Sequence, residues 1–93
     1  MGLIFEWDPN KAKANFFKHG VTYEESATVF SDYYSLTIDD PHHSLREKRN
    51  ITLGLSVNNR LLVVVHTDRG GRIRIISARP ASRKERRQYE KKT

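Results

Sequence analysis

Cysteine is absent from all 93 residues, which removes disulfide scaffolds, zinc–cysteine centres and thiol nucleophiles together. With 3 prolines and 5 glycines there is no linker tract, no glycine-rich phosphate loop and no nucleophile elbow, and no paired-carboxylate motif occurs. The longest aliphatic run, Leu61 to Val65, has 5 residues, against about 20 needed to cross a bilayer. The apolar start breaks at Glu6 with no basic stretch ahead of it, so no secretory leader is expected. Glu6 also stands where an N-myristoylation signal needs Ser or Thr. These absences point to one cytoplasmic domain spanning residues 1–93, with no membrane role. A chain of this size buries roughly 60–65% of its unfolded surface, enough for a modest core without staples.

Positive charge is plentiful and unevenly placed. Residues 1–59 hold 6 Lys/Arg against 8 Asp/Glu, whereas residues 60–93 hold 11 against 3, within a total of +6. A basic third on a near-neutral scaffold is the footprint of a polyanion binder, with a solvated basic tail as the plain alternative.

Local rules divide the chain into elements. Leu3–Trp7 reads as a short strand. Asp8-Pro9 reads as an N-cap with proline at the first helical position, and Gly20 as the left-handed terminator. The spacing puts Ala12, Phe16 and His19 on one helix face, with Lys11, Asn15 and Lys18 on another. Thr22 and Glu25 open a second, short helix, and Tyr34–Ile38 is rich in strand-forming residues. Asp39 to Ser44 forms a polar loop. Ile51, Leu53, Leu55 and Val57 alternate with polar or small residues, as in a strand with one buried face. Leu61–Val65, apolar on both faces, belongs mid-sheet. Asn58-Asn59 and Arg69-Gly70-Gly71 mark hairpin turns, and Arg72–Arg79 makes the next strand. Ser82 and Glu85 open a basic C-terminal helix. The expected fold is α+β, with helices on one face of a mainly antiparallel meander.

Arg72 and Arg74 share a strand face and form a candidate phosphate clamp, because a guanidinium fork bonds phosphate oxygens bidentately and keeps its charge. Arg79 points to the other face unless a bulge re-aims it. The alternative is a set of edge charges that discourage aggregation. His66 is a candidate acid or base, or a structural histidine at a strand end. His19 fits a helix terminus, while Lys18 faces outward within reach of a phosphate. Glu47, among Arg46, Lys48 and Arg49, is either a general base or a salt-bridged surface carboxylate. His42-His43 beside Asp39-Asp40 only loosely resembles a metal site, and no metal or cofactor is expected. Arg69, Arg72, Arg83 and Arg87 would bind RNA. Tyr89 would stack on a base, or pack on the sheet. Cations with one base suit metal-free RNA cleavage, in which electrostatic stabilisation supplies most of the effect. Phe16, Phe17, Tyr33 and Tyr34 are expected to line a protein-binding surface.

Phe5-Glu6-Trp7-Asp8-Pro9, Lys18-His19-Gly20-Val21, Glu24-Glu25-Ser26-Ala27 with Val29-Phe30, Arg46-Glu47-Lys48-Arg49 and Arg74-Ile75-Ile76-Ser77-Ala78-Arg79 together resemble the BrnT toxins of bacterial type II toxin–antitoxin pairs. The resemblance runs from Phe5 to Tyr89. It implies a RelE-like ribonuclease fold, inhibition of translation by RNA cleavage, and neutralisation by a cognate BrnA-type antitoxin that also represses the operon. On this chain it points to Lys18, His19, Glu47, Arg74 and Arg79, with His66 and Arg69 supported by position. A non-catalytic nucleic-acid-binding module, or a protein-interaction domain with a basic docking helix, accounts for the charge asymmetry without catalysis.

Overall fold

The computed structural model describes residues 2–40 and 48–91. Strand β1 (Phe5–Glu6) leads through the Asp8 cap into helix α1 (Pro9–His19). The Asp8 carboxylate accepts from the N–H groups of Asn10 and Lys11, and Gly20 closes the helix at φ 70°, where a side chain would be strained. Thr22 caps α2 (Tyr23–Ala27), which runs into one turn of 3₁₀-helix, Thr28–Ser31. Strands β2 (Leu36–Asp39), β3 (Asn50–Leu55), β4 (Leu61–Arg69) and β5 (Arg72–Pro80) form an antiparallel meander, and α3 (Arg83–Glu90) follows. The sheet order is β1-β5-β4-β3-β2, with β1 parallel to β5. Asn59, Gly70 and Gly71 take positive φ at the two hairpin turns, as their residue types require.

Two expected strands are shorter than their composition suggests. Only Phe5 and Glu6 pair with β5, at Ile73 and Arg74, and Leu3 and Ile4 stay exposed. Tyr34 lies outside β2 because the Asp32 carboxylate accepts its N–H at 3.0 Å, holding a turn ahead of the strand. Strand β3 is buried on both faces, not one. Thr52 is fully covered, and a Cβ on Gly54 would lie 3.1 Å from the Val29 carbonyl oxygen and Cβ, so glycine lets the 3₁₀ turn pack directly on the strand.

The helices also cover both sheet faces, which corrects the one-face expectation. On the first face Leu62, Val64, Ile75 and Ala78 pack with Val21, Tyr23 and Val29. On the second, Leu53, Leu61 and Val63 pack with Tyr89 of α3. Helix α3 is mostly charged, yet one aromatic anchors it. Tyr89 is 8% exposed and its hydroxyl donates to Asp32 Oδ2 at 2.6 Å; burial, then Asp32, pushes its pKa up to about 12.

The face of α1 turned to the sheet keeps Ala12 and His19 of the expected stripe but takes Asn15 in place of Phe16. Asn15 is buried, whereas Phe16 is 49% exposed. Past Glu6 no strand of the described residues pairs with the outer edge of β5, and Asn15 takes that place. Its Nδ2 donates to the Ala78 carbonyl at 2.8 Å and to the Val21 carbonyl at 3.1 Å, while Oδ1 accepts from the Ala78 N–H at 3.1 Å. The Tyr23 hydroxyl donates to the Ile76 carbonyl at 2.6 Å. Buried edge groups are thereby satisfied where a two-residue strand cannot reach.

A half-buried ion pair closes the other end of the sheet. Glu25, 8% exposed, accepts from the Arg60 guanidinium and from the Ser56 hydroxyl at 2.7 Å. The Arg60 guanidinium, joined by Ser56, holds the Glu25 carboxyl down at about 2 against its burial. A carboxylate with a lowered folded-state pKa adds stability above its unfolded value, which is lost as pH falls through the folded value. Urea midpoints are therefore expected to drop as pH falls from about 4.5 towards 2. In Glu25→Gln the drop should be shallower and the midpoint at pH 7 lower than in the wild type.

Candidate functional site

The arginines of β5 meet because of a bulge. Val65 pairs with Ser77, but His66 pairs with Ile75, so Ile76 is the extra residue on β5. The bulge resets the alternation and puts Arg79 on the same face as Arg72 and Arg74. Helix α3 covers that face only at the end formed by Leu53, Leu61 and Val63.

Register orders the part not covered by α3 into rows. Glu6 pairs with Arg74, and Arg74 with Thr67. One residue beyond the paired stretch of β3, Arg49 continues the side-chain row of Ile51, with its carbonyl accepting the Asp40 N–H at 2.8 Å. A polar band from Glu6 through Arg74 and Thr67 towards Arg49 thus crosses the sheet. Arg74 Nη1 donates to Glu6 Oε2 at 3.1 Å, and Arg72 Nη1 stands 3.7 Å from Glu6 Oε1. The Glu6 and Arg74 side chains are each 27% exposed, held but reachable.

Two residues back along β4, about 7 Å away, an apolar cleft of about 230 Å³ opens between the sheet and α3. Ile38, Ile51, Val65 and Ser77 line it, with Arg79 and Gln88 on its wall. Arg79 is bound bidentately by Glu85, both contacts at 2.8 Å, and Glu85 also accepts from the Ser82 N–H in the capping box. The Arg79 guanidinium holds the Glu85 carboxyl down at about 2. Arg79 therefore fastens α3 to β5 and shapes the cleft.

Several expected site residues stand elsewhere. His66 faces the core on the opposite side of the sheet, 5% exposed, with Nε2 2.7 Å from Thr52 Oγ1 and its ring edge-on to Phe30. Burial pushes its pKa down, partly opposed by Asp68. The bulge puts the arginines on one face and leaves the imidazole on the other, so His66 does not join the arginine cluster. Tyr89 takes the packing alternative: its ring is buried between α3 and the sheet. Lys18 and His19 end α1 next to Gly20, whose carbonyl accepts from Arg60 near the start of β4, whereas Arg72 and Arg74 begin β5 at the far end. They do not join the cluster. Arg69 pairs with Arg72 at the hairpin, and Arg83 and Arg87 lie exposed on α3. Glu47 and His42-His43 fall outside the described residues.

The four aromatics do not share one surface. Phe17, 82% exposed, belongs to α1 at the β5 edge. Tyr33, 91% exposed, precedes β2 at the opposite edge, its ring 5.3 Å from that of Tyr34. Glu6 is the participant the residue-by-residue reading missed. The signal available was its place in a strand flanked by a capped helix, but the parallel pairing with Arg74 is a long-range event.

Among the described residues no helix is long and apolar enough to cross a membrane, and no three His, Asp or Glu side chains gather as a metal site. A small sheet with one helix-covered face, and a second face covered by α3 at one end and carrying arginines at the other, defines the architecture. The same fold is found in the ribonuclease toxin BrnT of Brucella abortus, whose crystal structure superposes with a TM-score of 0.64 at 21% identity, covering 88% of this chain and 100% of that one. No curated protein is matched by the sequence. A family model described as the ribonuclease toxin BrnT of type II toxin–antitoxin systems matches residues 7–85. The chain belongs to that family of ribonuclease toxins.

Proposed function

We propose that this protein is a cytoplasmic endoribonuclease that cleaves RNA without a metal ion, inhibits translation by doing so, and is neutralised by a BrnA-type antitoxin. The observation that carries this reading is the convergence of Arg72 and Arg74 on Glu6 at the end of a sheet face away from α3, next to an apolar cleft. Two guanidiniums suit a phosphodiester, whose charge rises as the 2′-oxygen–phosphorus bond forms and the bond to the 5′-oxygen breaks. The cleft is smaller than the roughly 300–1,000 Å³ of a drug-sized pocket and suits one flat base over Ile51 and Val65, with Gln88 and Ser77 as polar partners for its edge.

The reading is tested with purified protein and end-labelled RNA in EDTA, with and without ribosomes. Fragments ending in 2′,3′-cyclic phosphate are expected. Intact RNA under both conditions, with salt-sensitive binding retained, would instead identify a non-catalytic nucleic-acid-binding module.

A further inference from the structure

We propose that Glu6 is the general base that takes the proton from the attacking 2′-hydroxyl, an inference resting on the ribonuclease reading above. The placement of Glu6 is built into the backbone. The Ile73 N–H donates to the Ile4 carbonyl at 2.8 Å, and Glu6 then lies beside Arg74 as its register partner. Its two oxygens face different guanidiniums, and its side chain is reachable from solvent. Four other carboxylates of the described residues have structural duties: Glu25 binds Arg60 and Ser56, Glu85 binds Arg79 and the α3 cap, Asp8 caps α1, and Asp32 holds Tyr89. His66 is behind the sheet.

A carboxylate in a phosphate site repels its ligand, so it weakens binding unless it acts on the substrate. The charges here are matched to the reaction. Two guanidiniums against one carboxylate leave a single positive charge for a phosphodiester monoanion. As the 2′-oxygen attacks, its proton passes to Glu6, and the carboxylate becomes neutral while the phosphorane gains a second negative charge. Arg72 and Arg74 are thus released from Glu6 as the phosphorane needs them, with no change in the total charge of the site. The new bond joins the 2′-oxygen to phosphorus, the 5′-oxygen departs with the bonding pair, and water supplies its proton. The hydroxide so formed removes the proton from Glu6.

The plain alternative is an ion pair that only pins the two-residue strand β1. The discriminating experiment compares wild type, Glu6→Gln and Glu6→Asp in RNA cleavage across pH, with a 2′-deoxy oligonucleotide as the binding probe. Glu6→Gln is expected to lower kcat by about 100-fold or more while leaving oligonucleotide affinity unchanged or tighter. It should also abolish the acidic limb of kcat/KM against pH. If Glu6→Gln does not fold, Glu6→Asp, which keeps the charge, is expected to lose at least about tenfold in kcat through its shorter reach. Glu6→Gln that cleaves at the wild-type rate with the acidic limb intact overturns the inference and leaves the ribonuclease reading standing, as does Glu6→Asp at the wild-type rate when it is the variant that folds. A wild type that leaves RNA intact overturns both.

Discussion

Arg74→Ala is expected to lower kcat/KM for RNA cleavage by on the order of 10²–10³-fold, the usual cost of removing one preorganised donor from a developing oxyanion. Arg74 is the central cation of the open face, bonded to Glu6 on one side and next to Thr67 on the other. On the proposed reading its loss removes a donor to the phosphorane, and it leaves Glu6 held by Arg72. Arg74→Lys should recover little, because an ammonium cannot bridge a carboxylate and a phosphate as a planar fork does. Arg79→Ala is the informative contrast. That guanidinium is already occupied by Glu85, so the main expected loss is the anchoring of α3, read as a lower melting temperature. Cleavage by the two variants, followed with the same end-labelled RNA, separates the roles. A larger catalytic loss in folded Arg79→Ala than in Arg74→Ala would move the phosphate site towards α3.

Asn15→Ala is expected to cost about 2–4 kcal/mol of stability, because it leaves buried backbone groups without partners. Three hydrogen bonds end on this one side chain, and two of them satisfy both the N–H and the carbonyl of Ala78, which is fully buried. Among the described residues no other strand pairs at that edge, since β1 stops pairing at Glu6. For a domain of this size the loss corresponds to a melting temperature lower by roughly 10–25 °C. Asn15→Asp should be as harmful, since a carboxylate keeps an acceptor for the Ala78 N–H but cannot donate to either carbonyl. Thermal unfolding of both variants checks this, and a change under about 0.5 kcal/mol, the ordinary size of a surface effect, would show that water replaces the amide.

Much of this molecule follows from rules that act over a few residues. Asp8-Pro9 and Gly20 bound α1, Thr22 starts α2, the Ser82–Glu85 box starts α3, and Asn59 and the Gly70-Gly71 pair turn the hairpins. Each depends on the conformational range of one residue or on a hydrogen bond spanning three, so the sequence carries it whole. The doubly apolar run Leu61–Val65 marked the centre of the sheet for the same reason. The ordered motifs carried the family, and the uneven charge marked the basic strand and helix.

What lay beyond the sequence concerns pairs far apart in it. The bulge at Ile76 exists because β4 and β5 shift register at Val65 and His66, and that shift alone decides that Arg79 joins Arg72 and Arg74 while His66 is turned into the core. Asn15 reads as a polar surface residue on a helical wheel, and only the unpaired edge of β5, 63 residues away, makes it a buried anchor. Tyr89 stands among charges in sequence, yet Asp32 and the sheet take it out of solvent. Glu6 meets Arg74 through a parallel pairing across 68 residues. Local propensity determined where the elements begin and end. The tertiary structure decided which faces they show each other, because strand register and edge satisfaction are settled only when distant segments compete for the same hydrogen bonds.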